Sequence, residues 1–187
     1  MTDKEFIKDY LDRYSRSLFE NDISEEMIKM KEMLIHVKNN DKKVIIAGNG
    51  GSATMASHAT VDFTKQGGIR TVNFNEYDLI TCFANDYGYE NWVSKALEFY
   101  ADKGDLVILI SSSGSSKNIL NASKTAKSLN LGVVTFSGFM KDNPLKQTGD
   151  LNFWVDSKAY NFVENTHQIW LLTIVDLIIG KREYSPN

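Results

Sequence analysis

The chain begins with two stretches whose apolar residues recur every three or four positions, as they do in amphipathic helices. The first stretch covers residues 4–20, and the second runs from Ser24 to about Val37. Their apolar stripes are wide for one chain to cover, which favours packing between subunits. We therefore predict that residues 1–40 form an N-terminal helical pair used in oligomerisation.

From residue 41 onward, short apolar runs alternate with helical stretches. The predicted strands are 43–48, 69–74, 105–111, 131–138 and 150–156. The predicted helices are 52–65, 77–85, 89–101, 115–129 and 160–179. Continuous apolar runs are typical of strands buried on both faces, and connections this long are crossovers rather than hairpins. The pattern predicts a flavodoxin-like α/β fold, a three-layer αβα sandwich around a five-stranded parallel sheet. Residues 41–187 form this core, within a single domain of 1–187.

Composition narrows the range of partners and compartments. The net charge is −3 and the isoelectric point is about 5.6, which disfavours nucleic acid as a partner. Cys82 is the single cysteine, so no internal disulfide can form, and its apolar neighbours predict a buried structural thiol. The sequence has neither a signal-peptide pattern nor an apolar run long enough to span a membrane. We expect a cytoplasmic protein with no membrane partner.

A glycine-rich turn, GNGGS at 48–52, joins the first core strand to the following helix. Gly50 and Gly51 allow backbone N–H groups to approach a ligand closely, and Ser52 is suited to cap the helix. The spacing matches neither the dinucleotide-binding motif nor the phosphate-binding loop (P-loop) of nucleoside triphosphatases. Both an anion-binding turn and a turn that simply requires glycine fit the pattern.

A serine-rich loop, ISSSGSSKN at 110–118, follows the clearest strand and precedes a helix. A single serine at a helix start is an ordinary cap. Five serines around Gly114 at the carboxyl end of a parallel strand instead favour a phosphate, because hydroxyl and N–H groups supply many donors without a basic side chain. The two loops together predict a small phosphorylated ligand that lies across the strand ends.

These two loops and the stretch ANDYGYE at 84–90 resemble, in order and spacing, the SIS (sugar isomerase) domain. The similarity covers nearly the whole chain and is strongest to the phosphoheptose isomerases. A related initiator-associating protein, which binds a replication initiator, shares the motifs. The resemblance implies a homotetramer with sites between subunits. It also implies isomerisation of sedoheptulose 7-phosphate to a heptose 7-phosphate through an enediol.

The resemblance also assigns roles to residues of this chain. The residues implied to bind the phosphate are Ser111, Ser112, Ser113 and Ser116. Those implied to meet the sugar are Asn49, Gly50, Gly51, Ser52 and Asp86. In the family a glutamate and a histidine transfer protons, and zinc bound by two histidines, that glutamate and a glutamine stabilises oxyanion charge.

The implied zinc and proton-transfer positions match the family only in part. His58 agrees with the first family ligand, whereas the glutamate one helical turn later is Asp62, shorter by one methylene. The glutamine position holds Glu164, and the second histidine position holds Leu172. His167 lies to one side of that helix face and is a secondary ligand candidate.

Three interpretations of this altered site stay open. His58, Asp62 and Glu164 bind one divalent metal such as zinc, with an open position for substrate. Alternatively, Glu164 or Asp62 acts as the catalytic base without a metal. In the third interpretation the chain is a non-catalytic SIS protein that senses a phosphosugar or binds a protein partner, in the manner of the initiator-associating type. We take isomerisation as the leading function, with Asp62 and Glu164 as catalytic residues.

Overall fold

The computed structural model describes residues 1–184, and within them the chain forms seven α-helices and five β-strands. The helices are α1 (Asp3–Phe19), α2 (Ser24–Asn39), α3 (Gly51–Lys65), α4 (Tyr77–Tyr87), α5 (Trp92–Tyr100), α6 (Lys117–Ser128) and α7 (Tyr160–Ile179). The strands are β1 (Val44–Gly48), β2 (Thr71–Asn73), β3 (Leu106–Ser111), β4 (Gly132–Ser137) and β5 (Leu151–Trp154). A single 3-10 turn occupies Leu145–Gln147.

The strands form one parallel sheet in the order β2-β1-β3-β4-β5. This is the flavodoxin-like order, in which the winding direction of the chain reverses between β1 and β3. The prediction of a five-stranded parallel α/β sheet is confirmed. Open sheets of this kind bind ligands at the carboxyl ends of the strands on either side of the reversal.

Alternate residues of the strands supply two separate cores, one on each face of the sheet. In β1, Val44 and Ile46 belong to the core beneath α2, α3 and α7, whereas Ile45 and Ala47 belong to the core beneath α5 and α6. All five residues of the strand are buried, which explains its continuous apolar run. The two cores are the physical basis of the predicted three-layer sandwich.

Several predicted elements are shorter in the structure than in the sequence pattern, and β2 and α5 show the reasons. Only Thr71–Asn73 of the predicted strand 69–74 pairs with a neighbour, because β2 is an edge strand that bonds to β1 alone. The helix predicted over 89–101 begins at Trp92. Gly88, with φ of +84°, ends α4, and a turn occupies the residues between the two helices.

The first helix packs against α7 and leaves its apolar residues exposed. None of its residues is buried, and Phe6, Ile7 and Leu11 are 56%, 57% and 60% exposed. Tyr10 and Tyr14 pack on Phe162, with ring centroids 4.6 and 4.5 Å apart. An uncovered apolar stripe of this kind fits the predicted use of the helix in subunit packing. Across residues 1–184, no helix combines the length and apolarity needed to cross a membrane.

Candidate active site

The glycine-rich turn and the serine-rich loop lie side by side at the reversal in the sheet. Gly48 at the end of β1 is in register with Ile110 near the end of β3, so both connections leave the sheet side by side at the carboxyl ends of the strands. Each connection leads directly into a helix, α3 or α6. The two predicted anion-binding segments therefore lie where parallel α/β sheets bind ligands.

The serine-rich loop is folded closely on itself. Ser111 and Ser112 are 4% and 5% exposed, and the Ser111 hydroxyl donates to Ser116 Oγ at 3.1 Å. Ser113 Oγ accepts a hydrogen bond from the backbone N–H of Ser115 at 3.2 Å. Gly114 has φ of +65°, which the tight curvature of the loop requires. The curvature gathers hydroxyl and N–H donors at the start of α6, where the helix dipole favours an anion.

The segment that follows β4 supports this loop from beneath. Asn143 is 2% exposed, and its amide donates to Ser137 Oγ and to the Gly138 carbonyl, both at 3.1 Å. A side chain at Gly114 would overlap Asn143. In addition, the N–H of Leu145 donates to the Gly114 carbonyl at 3.0 Å. The shape of the serine-rich loop is therefore fixed by residues about 30 positions further along the chain, which no local motif reveals.

The glycine-rich turn holds Asn49 against two residues of other segments. The amides of Asn49 and Asn118 form two reciprocal hydrogen bonds, at 2.9 and 2.8 Å. The hydroxyl of Tyr89 donates to Asn49 Oδ1 at 3.1 Å. Gly50 precedes α3 with φ of +54°, and Ser52 is 3% exposed. Thus the turn and the serine-rich loop are joined through side chains as well as through the sheet.

Glu164 of α7 reaches across to both loops. Its Oε1 atom lies 3.5 Å from the Ser112 hydroxyl, which donates to it. Its carboxylate also lies against Gly51, the first residue of α3, so closely that a Cβ there would overlap it. The N-terminal end of a helix dipole stabilises a negative charge in this position. The structure thus brings a partly buried carboxylate to the junction of the two loops.

His58 lies further along α3 and makes a different set of contacts. Its Nε2 atom is 3.3 Å from Asp62 Oδ2, and its Nδ1 atom is 3.3 Å from Nε2 of Gln168. This arrangement corresponds to the tautomer in which Nε2–H donates to Asp62 and Nδ1 accepts from the amide. The His58 side chain is 52% exposed. Both nitrogen atoms of the imidazole therefore already have partners within the chain.

The donor set within one chain does not form the predicted three-ligand metal site. Within residues 1–184, no three His, Cys, Asp or Glu side chains are grouped so that they could hold a metal ion. Glu164 contacts Ser112, whereas His58 contacts Asp62 and Gln168. Because Glu164 and the His58–Asp62 pair have different partners, the three side chains do not form a common metal site in this structure. The bound metal stays a prediction.

Asp86 and Cys82 lie close together on α4. Asp86 is exposed and its Oδ1 accepts from the Asn85 amide, so its contact with the sugar stays a prediction, whereas the Tyr89 hydroxyl reaches the glycine-rich turn. The prediction that Cys82 is buried is wrong, since it is exposed. On α4 the neighbouring Phe83 packs against the core, and the Cys82 side chain points away from it, 3.8 Å from Asp86 Oδ2.

His167 is buried in the core and is not available as a surface ligand. It is 0% exposed, its Nε2 lies 3.0 Å from the Ser137 carbonyl, and its ring packs edge-on against Phe136. Burial lowers the pKa of this imidazole to about 4, although the hydrogen bond to Ser137 acts in the opposite direction. The secondary ligand candidate of the sequence analysis is therefore a neutral core residue.

Gln168, Asn118 and Tyr89 are site residues that the sequence reasoning missed. Gln168 follows Glu164 by four positions, so the two share a helix face, and this spacing was a usable signal. Asn118 is the last residue of the stretch ISSSGSSKN, two residues after its final serine, and only its burial distinguishes it from an ordinary polar residue of a helix.

Comparison with known proteins agrees with this geometry. The model of the SIS domain matches residues 6–138. The phosphoheptose isomerase of Fusobacterium nucleatum is 34% identical over 163 residues, which cover 84% of this chain and 83% of the relative. That of Campylobacter concisus is 33% identical over 155 residues, covering 79% and 80%. The solved structure of phosphoheptose isomerase from Neisseria gonorrhoeae superposes with a TM-score of 0.86 at 26% identity, over 95% of this chain and 99% of that one.

The matches define first the class of protein, an α/β protein with a SIS domain. Within that class, the chain belongs to the phosphoheptose isomerase family, a family of sugar-phosphate isomerases.

Proposed function

We propose that the protein interconverts sedoheptulose 7-phosphate and an aldose heptose 7-phosphate by proton transfer through an enediol. Membership of the family supports the reaction class. The single observation that carries the proposal is the carboxylate of Glu164 at the junction of the serine-rich loop and the glycine-rich turn. Isomerisation requires a base within reach of the carbon next to the carbonyl, and Glu164 lies against the glycine-rich turn, over which the sugar extends in this proposal.

The serine-rich loop binds the phosphate in this proposal. Its hydroxyls and backbone N–H groups at the start of α6 donate to the phosphate oxygens, and the loop is already curved by its internal bonds. A preformed loop pays little ordering entropy when it binds. The sugar chain then extends over the glycine-rich turn, where glycine lets it approach the backbone closely.

Glu164 acts as the base in the first step. It removes a proton from C1 of the ketose, the electron pair of the C–H bond forms the C1–C2 double bond, and the carbonyl oxygen on C2 takes up a proton. In the second step the hydroxyl on C1 loses its proton, the C1 carbonyl forms, and a proton is returned to C2. The proton count is unchanged overall, so an isomer is produced without a co-reactant.

Asp62 and His58, which are hydrogen bonded to each other, transfer protons to and from the substrate oxygens in this proposal. The Asp62 side chain is 24% exposed, and the imidazole lies between its carboxylate and the amide of Gln168. A carboxylate hydrogen bonded to an imidazole stabilises the imidazolium ion, so the pair can take up a proton and later return it, which restores its original charge. This assigns Glu164 to the carbon-bound proton and Asp62, through His58, to the oxygen-bound protons, for which His58 Nδ1 must exchange its bond with Gln168 for one with the substrate.

A bound zinc ion is a separate proposal, and the proton transfers assigned to Glu164, Asp62 and His58 do not depend on it. Its ligands would be His58, Asp62 and Glu164, and it would stabilise negative charge on the enediol oxygen. Glu164 would have to leave Ser112 to join the other two residues.

We also propose a homotetramer with sites between subunits. The exposed apolar stripe of α1 supports an assembly, and the exposure of the His58 side chain fits a site that a neighbouring subunit completes. The acidic composition disfavours a nucleic-acid partner, and the single cysteine fits a reducing compartment such as the cytoplasm. Its product would supply heptose for surface glycans.

The test is to follow sedoheptulose 7-phosphate in D₂O by NMR with the purified protein. The wild type should form aldose and incorporate deuterium next to the carbonyl. Glu164→Gln keeps the shape of the side chain but cannot accept the proton, so turnover should fall by about 10²-fold or more. Glu25→Gln, at an exposed position in the first turn of α2, is the matched control and should leave turnover unchanged. Full activity of Glu164→Gln would disprove this assignment.

A non-catalytic phosphosugar-binding protein is the second candidate, and Leu172 favours it because this position holds a histidine in the family to which the sequence is similar. In that case the wild type would bind sedoheptulose 7-phosphate in calorimetry but incorporate no deuterium.

A further inference from the structure

Asn118 is a buried polar side chain beside the site, and neither the motifs nor the proton-transfer scheme gives it a role. It is the second residue of α6 and is only 2% exposed. A buried amide is costly unless its hydrogen bonds are made, because it gives up water on both its N–H and its carbonyl side. The identity of its partner therefore indicates what the residue does.

Its partner is the side chain of Asn49, and the two amides bond to each other twice. Asn49 Nδ2 donates to Asn118 Oδ1 at 2.9 Å, and Asn118 Nδ2 donates to Asn49 Oδ1 at 2.8 Å. Two parallel bonds fix the plane of the Asn49 amide, which a single bond would leave free to rotate. The Tyr89 hydroxyl adds a third bond, to Asn49 Oδ1 at 3.1 Å.

These three bonds leave Asn49 with one amide hydrogen for a ligand. Each amide has two N–H donors and an oxygen that accepts twice. The oxygen of Asn49 is filled by Asn118 and Tyr89, while one of its two N–H groups is used by Asn118. The remaining N–H is held in a fixed direction at the glycine-rich turn, so it suits an oxygen acceptor such as a sugar hydroxyl or carbonyl.

The pair also joins the two binding segments. Asn49 follows β1, whereas Asn118 lies in the first turn of α6, the helix that the serine-rich loop leads into. A phosphate bound in the loop and a sugar oxygen bound by Asn49 are therefore held at a set separation. Fixed separation between two contacts on one ligand is a means of selecting the length of the ligand.

We propose that Asn118 is a positioning residue that holds the amide of Asn49 against the sugar and sets its distance from the phosphate loop. This inference rests on the proposed function in one respect, that Asn49 meets the sugar part of a phosphosugar. Asn118 itself acts only through Asn49.

The experiment compares two ligands, sedoheptulose 7-phosphate and inorganic phosphate, by calorimetry with each variant. Asn118→Ala should weaken binding of sedoheptulose 7-phosphate by about tenfold, the usual effect of losing an oriented hydrogen bond. Binding of inorganic phosphate should change by less than about twofold, because that ligand does not reach Asn49. Where turnover is measured, kcat/KM for the phosphosugar should fall in parallel with its affinity.

Two further variants serve as a control and as a replacement if Asn118→Ala does not fold. Asn121→Ala is the matched control, since Asn121 lies on the same helix and its amide donates to the Glu90 carbonyl at 3.0 Å and to Asn91 at 3.1 Å. It should leave both affinities unchanged. If thermal melting shows that Asn118→Ala does not fold, Asn118→Asp replaces it. Aspartate has the same shape and still accepts the hydrogen bond from Asn49 Nδ2, but it cannot donate one to Asn49 Oδ1.

A double-mutant cycle with Asn49→Ala decides whether the two residues act as a unit. Asn49→Ala combined with Asn118→Ala should bind sedoheptulose 7-phosphate no more weakly than Asn49→Ala alone. Additive losses, or equal weakening of both ligands by Asn118→Ala, would overturn the proposal. A wild type that binds the phosphosugar without turning it over would defeat the isomerase proposal and leave this one standing. Absence of any phosphosugar binding would defeat both.

Discussion

The carboxylate of Glu164 lies so close to the backbone of Gly51 that a Cβ on this first residue of α3 would overlap it. A side chain at position 51 would therefore displace the carboxylate of a residue more than a hundred positions further along the chain. This contact brings α7 to the start of α3 and places the carboxylate beside Ser112. The Gly51–Glu164 contact and the Asn49–Asn118 pair together connect α7, the glycine-rich turn and the serine-rich loop.

Gly51→Ala should displace Glu164 and lower kcat by about tenfold or more, because a misplaced base transfers protons poorly. Alanine is otherwise the better helix former, so the substitution alone would be expected to stabilise α3. In a Glu164→Ala background the overlap disappears, and Gly51→Ala should then leave the melting temperature unchanged or raise it. Equal destabilisation in both backgrounds would show that the glycine serves another purpose.

Ser113→Ala should raise KM for the phosphosugar by about tenfold or more while changing kcat little. A hydrogen bond to a charged group contributes about 1.5–3 kcal/mol, and phosphate binding is equally strong in the ground state and the transition state. Steady-state kinetics measure both constants. Ser128→Ala, on the exposed end of α6, is the control. An unchanged KM in Ser113→Ala would remove this residue from the phosphate site.

The zinc proposal predicts a measurable metal content. Purified wild type should carry about one zinc per chain, and His58→Ala should lose it, because imidazole is a zinc ligand of high affinity. His36→Ala removes another histidine, on α2, and should keep the metal. Dialysis against a chelator should abolish activity, and added zinc should restore it. Full activity in metal-free protein would refute the zinc proposal and leave Glu164 as a base without a metal.

His167 should make the protein less stable in mild acid. Its pKa is lowered from 6.5 to about 4 by burial in the folded state, so between these pH values the unfolded chain binds a proton that the folded chain does not. The free energy of unfolding should fall as the pH drops from 6.5 to 4, by roughly 3 kcal/mol in total.

Urea unfolding at pH 7.5, 6 and 4.5 measures this dependence. His167→Leu should show a flatter slope, because the titrating group is gone, even if its stability at pH 7.5 differs from that of the wild type. His36→Ala is the control, because it removes an exposed histidine of α2 and leaves His167 in place. A wild type whose stability does not change over this range would contradict the burial of a neutral imidazole.

The layered fold was predictable from the sequence because it depends on local periodicity. The continuous apolar runs of β1 and β3 and the amphipathic stretches between them identify buried parallel strands and crossover helices. The glycine-rich turn and the serine-rich loop were found for the same reason, since each is a short segment whose composition alone shows how its backbone can behave. Cys82 is the counterexample, because one helical turn contains both a buried face and an exposed face.

What the sequence by itself determined was therefore the order of elements, the parallel sheet and the position of the two segments predicted to bind an anion. Only the tertiary structure decided which side chains meet at those segments. Asn118 is buried against Asn49, Gln168 is bonded to His58, and His167 lies in the core although it shares a helix with Glu164. These outcomes depend on contacts between residues far apart in the chain, and on how each helix is rotated about its axis as it packs on the sheet. Local patterns restrict that rotation without fixing it.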